Sequence, residues 1–335
     1  MTMRAFQVVE HGPPASLRCN EIPDLVPGIG QVRIGIKAAG INFPDVLVVA
    51  GKYQVLPKRP FSPGKDFAGT VLDVGAGVQR FAVGDRVLCH VEYGGFAEQA
   101  LVTEQQAFKL PETMSFVEAA AMGLVYQTAY LALIDRGQFK TGEIVLVGGA
   151  AGGIGLAAVQ LAKGLGATVL AAVRSPDEAE LVRQNGADHV IDLTLPDMRE
   201  SLRAQVHEAT AGRGADVVID PLGGDFLGAA LRAMAWCGRL VVIGFAAGDI
   251  PSVKVNYLLV KNIAITGLQW SDYRDRTPAR IEEVQNEIFK LWQAGAVKPH
   301  VMKEFPFSEL PTALELIEQG RIRGKAVIVT DGAQA

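Results

Sequence analysis

Cysteine is scarce in this 335-residue chain: only Cys19, Cys89 and Cys237 occur. They lie too far apart for a C-x-x-C pair or a disulfide framework, and three free thiols fit a reducing compartment. His11, His90, His189, His207 and His300 form no ligand-spaced pair, so neither residue type supplies a zinc signature. Charge of one sign is also missing. The formal net charge is −4 with no run of like charges, which excludes the basic field that nucleic acid or an anionic membrane needs. The opening MTMRAFQVVEHGPP has no signal-peptide core and no Arg/Ser-rich transit pattern, so a cytoplasmic location is expected. The stretch from Ile144 to Ala162 carries no charge and is nearly long enough to cross a bilayer. Gly148, Gly149, Gly152, Gly153 and Gly155 would break a membrane helix there. A strand, a tight turn and a helix account for the same residues better, and no membrane partner is expected.

What is present is a globular balance, 49% hydrophobic and 20% charged, in a chain long enough for two cores. The first third reads as β-rich. QVRIGIKAAG (31–40) alternates apolar and polar, and AGTVLDVGAGV and DRVLCHV follow as further strands punctuated by Gly75, Gly77 and Gly84. Short strands at close spacing suggest a small barrel-like domain. A helix opens at SFVEAAAMG, where Ser115 and Glu118 have the spacing of a capping box. Strands are then predicted at 143–148, 168–173, 189–193, 215–220, 239–244 and 264–268, with helices in most gaps. Unbroken Val/Ile-rich runs suit strands covered on both faces, so this region predicts a doubly wound domain with a six-stranded parallel sheet. From about residue 270 the order reads helix (ARIEEVQNEIFKLWQAG), helix (SELPTALELIEQG), strand (KAVIVT), which packs back onto the first domain rather than extending the parallel sheet.

The strongest chemical signal is IVLVGGAAGGIGLAAVQLAKGLG (144–166), a buried strand running through glycines into a helix. Such a turn aims backbone N–H groups and a helix N-terminus at a pyrophosphate. Ala150-Ala151-Gly152-Gly153-Ile154-Gly155 meets the G-x-G-x-x-G pattern at its second and third glycines only. Gly152 would let the backbone approach phosphate, and Gly155 would let the helix approach the sheet. The competing reading is a turn that needs glycine for conformation alone. The second strand ends in Arg174-Ser175, where an NAD site places an acid on the ribose. Arg174 and the Ser175 hydroxyl therefore point to the 2′-phosphate of NADPH. The alternative is a solvated Arg174, with Asp177 or Glu178 turned in towards the ribose.

GINFPDVLVVAGKY (40–53), PGKDFAGTVLDVGAGV (63–78), GDRV (84–87), GGFAEQALV (94–102), AAGGIGLAAVQLAK (150–163), DVVIDPLGG (216–224), GRLVVIGFAAG (238–248) and RGKAVIVT (323–330) together resemble the medium-chain dehydrogenase/reductases over nearly the whole chain. The resemblance implies a GroES-like β-rich catalytic domain from residues 1–125 and 270–335 around a Rossmann domain at 126–269, with a cleft between them and a homodimer. At the positions matched to the catalytic zinc ligands stand Asn42, Lys65 and Leu124, and the cysteine-rich structural-zinc lobe is absent, so no metal is expected. Asn42 with Asp45, Gly51 and Tyr53 is similar to the zinc-free quinone oxidoreductases (zeta-crystallin-like) and enoyl-thioester reductases. Asp66 stands where the family usually has Glu, and Glu178 where many NADPH-dependent relatives have Lys.

Without a Lewis acid the substrate must accept hydride readily, as a quinone or an activated alkene does. The resemblance thus implies an NADPH-dependent quinone oxidoreductase. The alternatives are a reductase of α,β-unsaturated carbonyls or enoyl-CoA thioesters, and a non-catalytic NADPH-binding protein. Tyr53 is the candidate proton donor, Asn42 would hold the nicotinamide ribose or the substrate oxygen, and Asp45 would orient them. Tyr53 as a pocket wall and Asp45 as a partner of Lys65 stay open. The cofactor set is completed by Thr128, Ala151, Gly152, Gly153, Ile154, Gly155, Arg174, Ser175, Gly244 and Phe245, with Thr128 as a plain helix residue the alternative. Phe245 as plain core is an alternative, and Tyr257, Trp270 and Tyr273 read as packing or pocket aromatics.

Overall fold

The computed structural model describes residues 1–330. By its contacts the chain forms two units: Met1–Leu124 with Arg274–Gln285 and Pro299–Ala335, and Val125–Tyr273 with Asn286–Lys298. Residues 286–298 thus go with the second unit, whereas the sequence assigns the whole tail from 270 to the first. A part-buried polar clamp is one reason: Gln160 Nε2 donates to the Lys298 carbonyl at 2.7 Å while its Oε1 accepts from Lys298 N at 2.9 Å.

In the first unit Gln31–Gly40 is the central strand, buried at alternate residues until its last three. It pairs antiparallel with Asp66–Val74 on one side. Gln99–Thr103 and Lys325–Val329 also pair antiparallel with it, at separate registers. Arg86–His90 and Ala107–Lys109 continue the sheet beyond Asp66–Val74. The tail contains a strand that the sequence reading lacks, Val301–Pro306, which runs parallel to Lys325–Val329. The order from 270 is therefore helix (Trp270–Arg276), helix (Pro278–Gln293), strand, helix (Leu310–Glu318), strand. That edge strand fully buries only Phe305, so it shows no period-2 signal. Phe305, Phe67, Phe96, Ile34 and Ile41 lie in the core of this unit.

The second unit holds a six-stranded sheet. In chain order its strands are Ile144–Val147, Thr168–Val173, His189–Asp192, Ala215–Asp220, Met234–Val242 and Ala264–Gly267. All pair parallel, and across the sheet the order is third, second, first, fourth, fifth, sixth. That is the doubly wound Rossmann topology. Every residue of Ile144–Val147 and Ala215–Asp220 is buried, as strands covered on both faces must be.

The helix Phe116–Leu131 starts at the predicted cap. Glu118 N donates to Ser115 Oγ at 3.1 Å, and Ser115 N donates to the Glu118 carboxylate at 3.2 Å. It kinks at Gly123, whose φ of −19° and ψ of −112° are not helical. Phe116–Arg136 is apolar and long enough to cross a bilayer by composition, but most of it is buried inside the protein, as in a core helix.

Candidate active site

At the carboxyl end of the first Rossmann strand the chain turns through Gly149, with a left-handed φ of +54°, and enters the helix Gly153–Gly164. Gly152 is the N-cap, and the N–H groups of the first turn behind it have no acceptor within the helix. A Cβ on Gly155 would lie 2.2 Å from the Gly149 carbonyl oxygen and 2.7 Å from Ala150 Cα. Glycine there is a condition of packing the helix on the turn. A Cβ on Gly152 would meet only the Gly149 carbonyl oxygen, at 3.4 Å, so nothing of the protein fills the space above it. Ala151 is buried, while Gly152, Gly153 and Ile154 are partly open. Helix-terminal donors under a bare backbone are what a pyrophosphate requires.

The second strand ends at Val173, and Arg174 is exposed beyond it. Ser175 caps the next helix, its Oγ accepting from Glu178 N at 3.2 Å. The Glu178 carboxylate is buried and accepts from Arg174 N at 2.8 Å. Glu178 is thereby committed to closing the turn and does not reach outward as a ribose ligand. Arg174 and Asp177 are the exposed charges at this strand end. Asp220, which the sequence reading leaves out, ends the fourth strand and accepts from Leu222 N and Gly223 N, each at 2.9 Å, so it shapes the turn beside this edge. Burial pushes its carboxyl above the usual carboxylate range. Gly244 and Phe245 follow the fifth strand. Phe245 is 40% exposed, which rules out the plain-core reading. Trp270 is buried and donates to Gln127 at 2.9 Å, so it is a packing residue. Tyr257 accepts from Arg199 at 2.8 Å. Thr128 is buried on the helix Phe116–Leu131.

In the first unit the candidate residues meet in a buried polar network. Asn42 precedes the helix Phe43–Val49, and Asp45 Oδ2 accepts from Asn42 N at 2.8 Å. With the helix end capped by Asp45, the Asn42 side chain is released for other contacts. Its Nδ2 donates to Asp66 Oδ1 at 2.7 Å, and its Oδ1 accepts from Lys325 Nζ at 2.7 Å. Lys325 also donates to the Ile41 carbonyl at 2.8 Å. The other Asp66 oxygen accepts from Leu124 N at 2.8 Å, a bond that the kink at Gly123 makes possible. Cβ atoms at Gly40 and Gly123 would fall 2.9 and 2.3 Å from the Asp66 carboxylate oxygens, so both glycines make room for it.

Lys65 does not bond Asp45. It pairs with the Glu92 carboxylate, which also accepts from Arg274 at 3.1 Å. The Lys65 ammonium stands 4.6 Å from the Tyr53 ring centroid, a cation–π contact. Burial, with the charges of Glu92 and Asp45, pushes the Tyr53 phenol up to about 12, so it stays protonated at neutral pH. Burial pushes Asp45 up to about 7 against the pull of Lys65. Its second carboxylate oxygen is buried without a hydrogen-bond partner.

Residues 28–112 match the family model described as an alcohol dehydrogenase GroES-like domain, and residues 153–286 the one described as a zinc-binding dehydrogenase. The chain is 38% identical over 307 residues to a quinone oxidoreductase-like protein 2 homolog of Nematostella vectensis, covering 90% of this chain and 82% of that one. It is 33% identical to the quinone oxidoreductase of Mus musculus over 98% of both chains. The chain belongs to the quinone oxidoreductase (zeta-crystallin-like) family of medium-chain dehydrogenase/reductases. Among solved structures, the Escherichia coli quinone oxidoreductase complexed with NADPH superposes with a TM-score of 0.88 at 30% identity, covering 97% of this chain and 99% of that one.

This oxidoreductase therefore combines a GroES-like domain with a Rossmann domain, as expected. One of its two family models is described as zinc-binding, and the residues here do not suit that metal. Leu124 contributes only a backbone N–H, Lys65 is an ion-paired ammonium, and both ends of the Asn42 amide are engaged. Among the described residues no group of three His, Cys, Asp or Glu could hold a metal ion. Lys325 and Asp66 are the members of the network not selected as candidates from sequence. A signal for Lys325 exists: it is one charge at the head of the otherwise apolar strand KAVIV.

Proposed function

We propose that this oxidoreductase transfers hydride from NADPH to a quinone without zinc. The observation that carries the reading is what stands at the three positions matched to zinc ligands: the Asn42 amide is closed between the Asp66 carboxylate and the Lys325 ammonium, Lys65 is ion-paired with Glu92, and Leu124 offers only a backbone N–H. NADPH as donor is supported by the Escherichia coli structure, by the open backbone at Gly152, and by Arg174 at the end of the second strand. In this reading the first-turn N–H groups of Gly153, Ile154 and Gly155, with Ala151 and Gly152, hold the pyrophosphate. Arg174 and the Ser175 hydroxyl hydrogen hold the 2′-phosphate. Thr128, Gly244 and Phe245 line the nicotinamide side. Bound NADPH supplies the hydride.

Asn42 then holds the nicotinamide ribose rather than the substrate oxygen. Its Nδ2 hydrogens go to Asp66 and, at 3.4 Å, to the Gly40 carbonyl, whereas Oδ1 keeps a second lone pair that accepts from a hydroxyl. Tyr53, kept protonated, donates the proton that turns the reduced quinone oxygen into a hydroxyl, and recovers one from solvent. The same protonated phenol favours a second reading, reduction of an activated alkene, in which the developing oxyanion needs a donor. The cytoplasmic location and a homodimer belong to the proposal. The sixth strand, Ala264–Gly267, is an edge of the sheet, and the nearby Leu259 and Val260 are exposed.

The test is steady-state oxidation of NADPH and of NADH with 1,4-benzoquinone and with an enone, with and without a chelator. Chelator-resistant turnover that prefers NADPH and quinone is expected. Faster turnover of the enone selects the second reading, and tight NADPH binding with no turnover makes the protein a non-catalytic binder. Loss of activity on chelation would overturn the zinc-free mechanism.

A further inference from the structure

An amide side chain is ambiguous in most sites, because rotation by half a turn exchanges its donor and acceptor. At Asn42 both neighbours are unambiguous as an ion pair: burial pushes the Asp66 carboxyl up and the Lys325 ammonium down, and each charge acts on the other against that shift. An aspartate carboxylate only accepts, and a lysine ammonium only donates. With Asp66 Oδ1 at 2.7 Å from one end and Lys325 Nζ at 2.7 Å from the other, a flipped Asn42 would set oxygen against oxygen and nitrogen against nitrogen. All three residues are buried, and Lys325 is 3% exposed, so water cannot rescue the flipped form. Each neighbour is itself anchored. The second Asp66 oxygen is held by Leu124 N, and Lys325 by the Ile41 carbonyl. Lys325 leads the strand Lys325–Val329, which pairs with the very end of the strand that runs into Asn42.

We propose that Lys325 and Asp66 are positioning residues that fix the polarity of the Asn42 amide, so that it presents an acceptor, Oδ1, to a hydroxyl of the bound dinucleotide. The inference rests on the reading that Asn42 meets the nicotinamide ribose of NADPH. It goes further in assigning the orientation of that amide to a residue 283 positions away in the chain.

Charge balance alone is the competing role for Lys325, and a paired substitution separates the two. Lys325→Met with Asp66→Asn removes both charges together and leaves the network neutral. Leu124 N takes the oxygen of the amide introduced at position 66, so its NH2 end faces Asn42 and the native polarity is opposed rather than enforced. The double variant should melt close to the wild type yet bind NADPH about tenfold more weakly, by fluorescence titration. Its affinity for 2′,5′-ADP, which lacks the nicotinamide ribose, should be unchanged. In an Asn42→Ala background the same pair should cost no further NADPH affinity. If the double variant does not fold, Lys325→Gln with Asp66→Asn keeps the space filled. The amide at 66 again turns its NH2 to Asn42 and the one at 325 can donate or accept, so Asn42 can turn over, and a several-fold loss is expected. A folded neutral variant of either kind that binds NADPH as the wild type does would overturn the proposal and leave Lys325 as a counter-charge. Failure of the wild type to bind NADPH at all would instead overturn the reading beneath it.

Discussion

Two glycines three residues apart, Gly152 and Gly155, should fail in opposite ways when replaced by alanine. At Gly155 the added Cβ would sit 2.2 Å from the Gly149 carbonyl oxygen and 2.7 Å from Ala150 Cα. Both are backbone atoms of the turn, so no side chain can swing away. Overpacking of this kind typically costs about 1–3 kcal/mol. With backbone on both sides we expect roughly 2–3 kcal/mol, and a fall in Tm of about 3–4 °C for a chain of this length. At Gly152 the Cβ would meet its nearest protein atom at 3.4 Å, ordinary contact, and the φ of −80° is open to any L residue. Alanine is a poorer N-cap than glycine, but it also restricts the unfolded chain by about 0.4–1 kcal/mol, so the two effects largely cancel. The methyl group instead enters the space assigned to the pyrophosphate. Gly152→Ala should therefore melt within about 2 °C of the wild type and lose tenfold or more in NADPH affinity, about 1.4 kcal/mol. Thermal melting by circular dichroism and fluorescence titration with NADPH read the two effects separately. A Gly155→Ala protein as stable as the wild type, or a Gly152→Ala protein that binds NADPH undiminished, would refute the assignment of these roles.

Three further outcomes follow from the same geometry. Arg174→Ala should weaken NADPH about tenfold or more and leave NADH nearly untouched, because only the former carries the 2′-phosphate; equal losses for both cofactors would remove Arg174 from the site. Tyr53→Phe should lower kcat for an enone by about ten- to a hundredfold with little change in KM. An unchanged kcat would make the ring a pocket wall, held only by its contact with Lys65. The third outcome concerns pH. Burial raises Asp45 from its ordinary 3.8 to about 7, with Lys65, Asp66 and Lys325 as the charges that act on it. Between those values the native state keeps a proton that the unfolded chain has released, so stability falls as pH rises from about 4 to 7 and then levels. Asp45→Asn mimics the protonated acid and should match the wild type near pH 4. Above pH 7 it should be more stable, by at most about 4 kcal/mol; melting curves that run parallel across this range would show that Asp45 is ionised in the native state.

Most of the fold is legible in the sequence because its signals are local. Unbroken Val/Ile runs mark five of the six Rossmann strands to within two residues at each end. The fifth starts ahead of its apolar run, at Met234, with the exposed pair Trp236 and Cys237 inside it. The edge strand Val301–Pro306 escapes because it buries one side chain and leaves no alternation to read. At the site, the family resemblance names Asn42, Asp45 and Tyr53, and the glycine spacing names the turn. Neither can give the partners. The possible pairing of Asp45 with Lys65 fails because Glu92 and Arg274 offer Lys65 a better-satisfied ion network.

By itself, then, the sequence determined the two architectures, the strand-to-helix glycine turn, and a set of residues that does not suit zinc. The strands and the turn follow from short-range periodicity, and the GroES-like assignment and the zinc-ligand positions from the family resemblance. Tertiary structure alone decided that Asp66 receives the N–H freed by the kink at Gly123, and that Lys325 faces Asn42. Those are hydrogen bonds inside a buried volume, between groups 58 and 283 positions apart in the chain. Which donor finds which acceptor there depends on strand register and on the exclusion of water, and neither is written in any local stretch of residues.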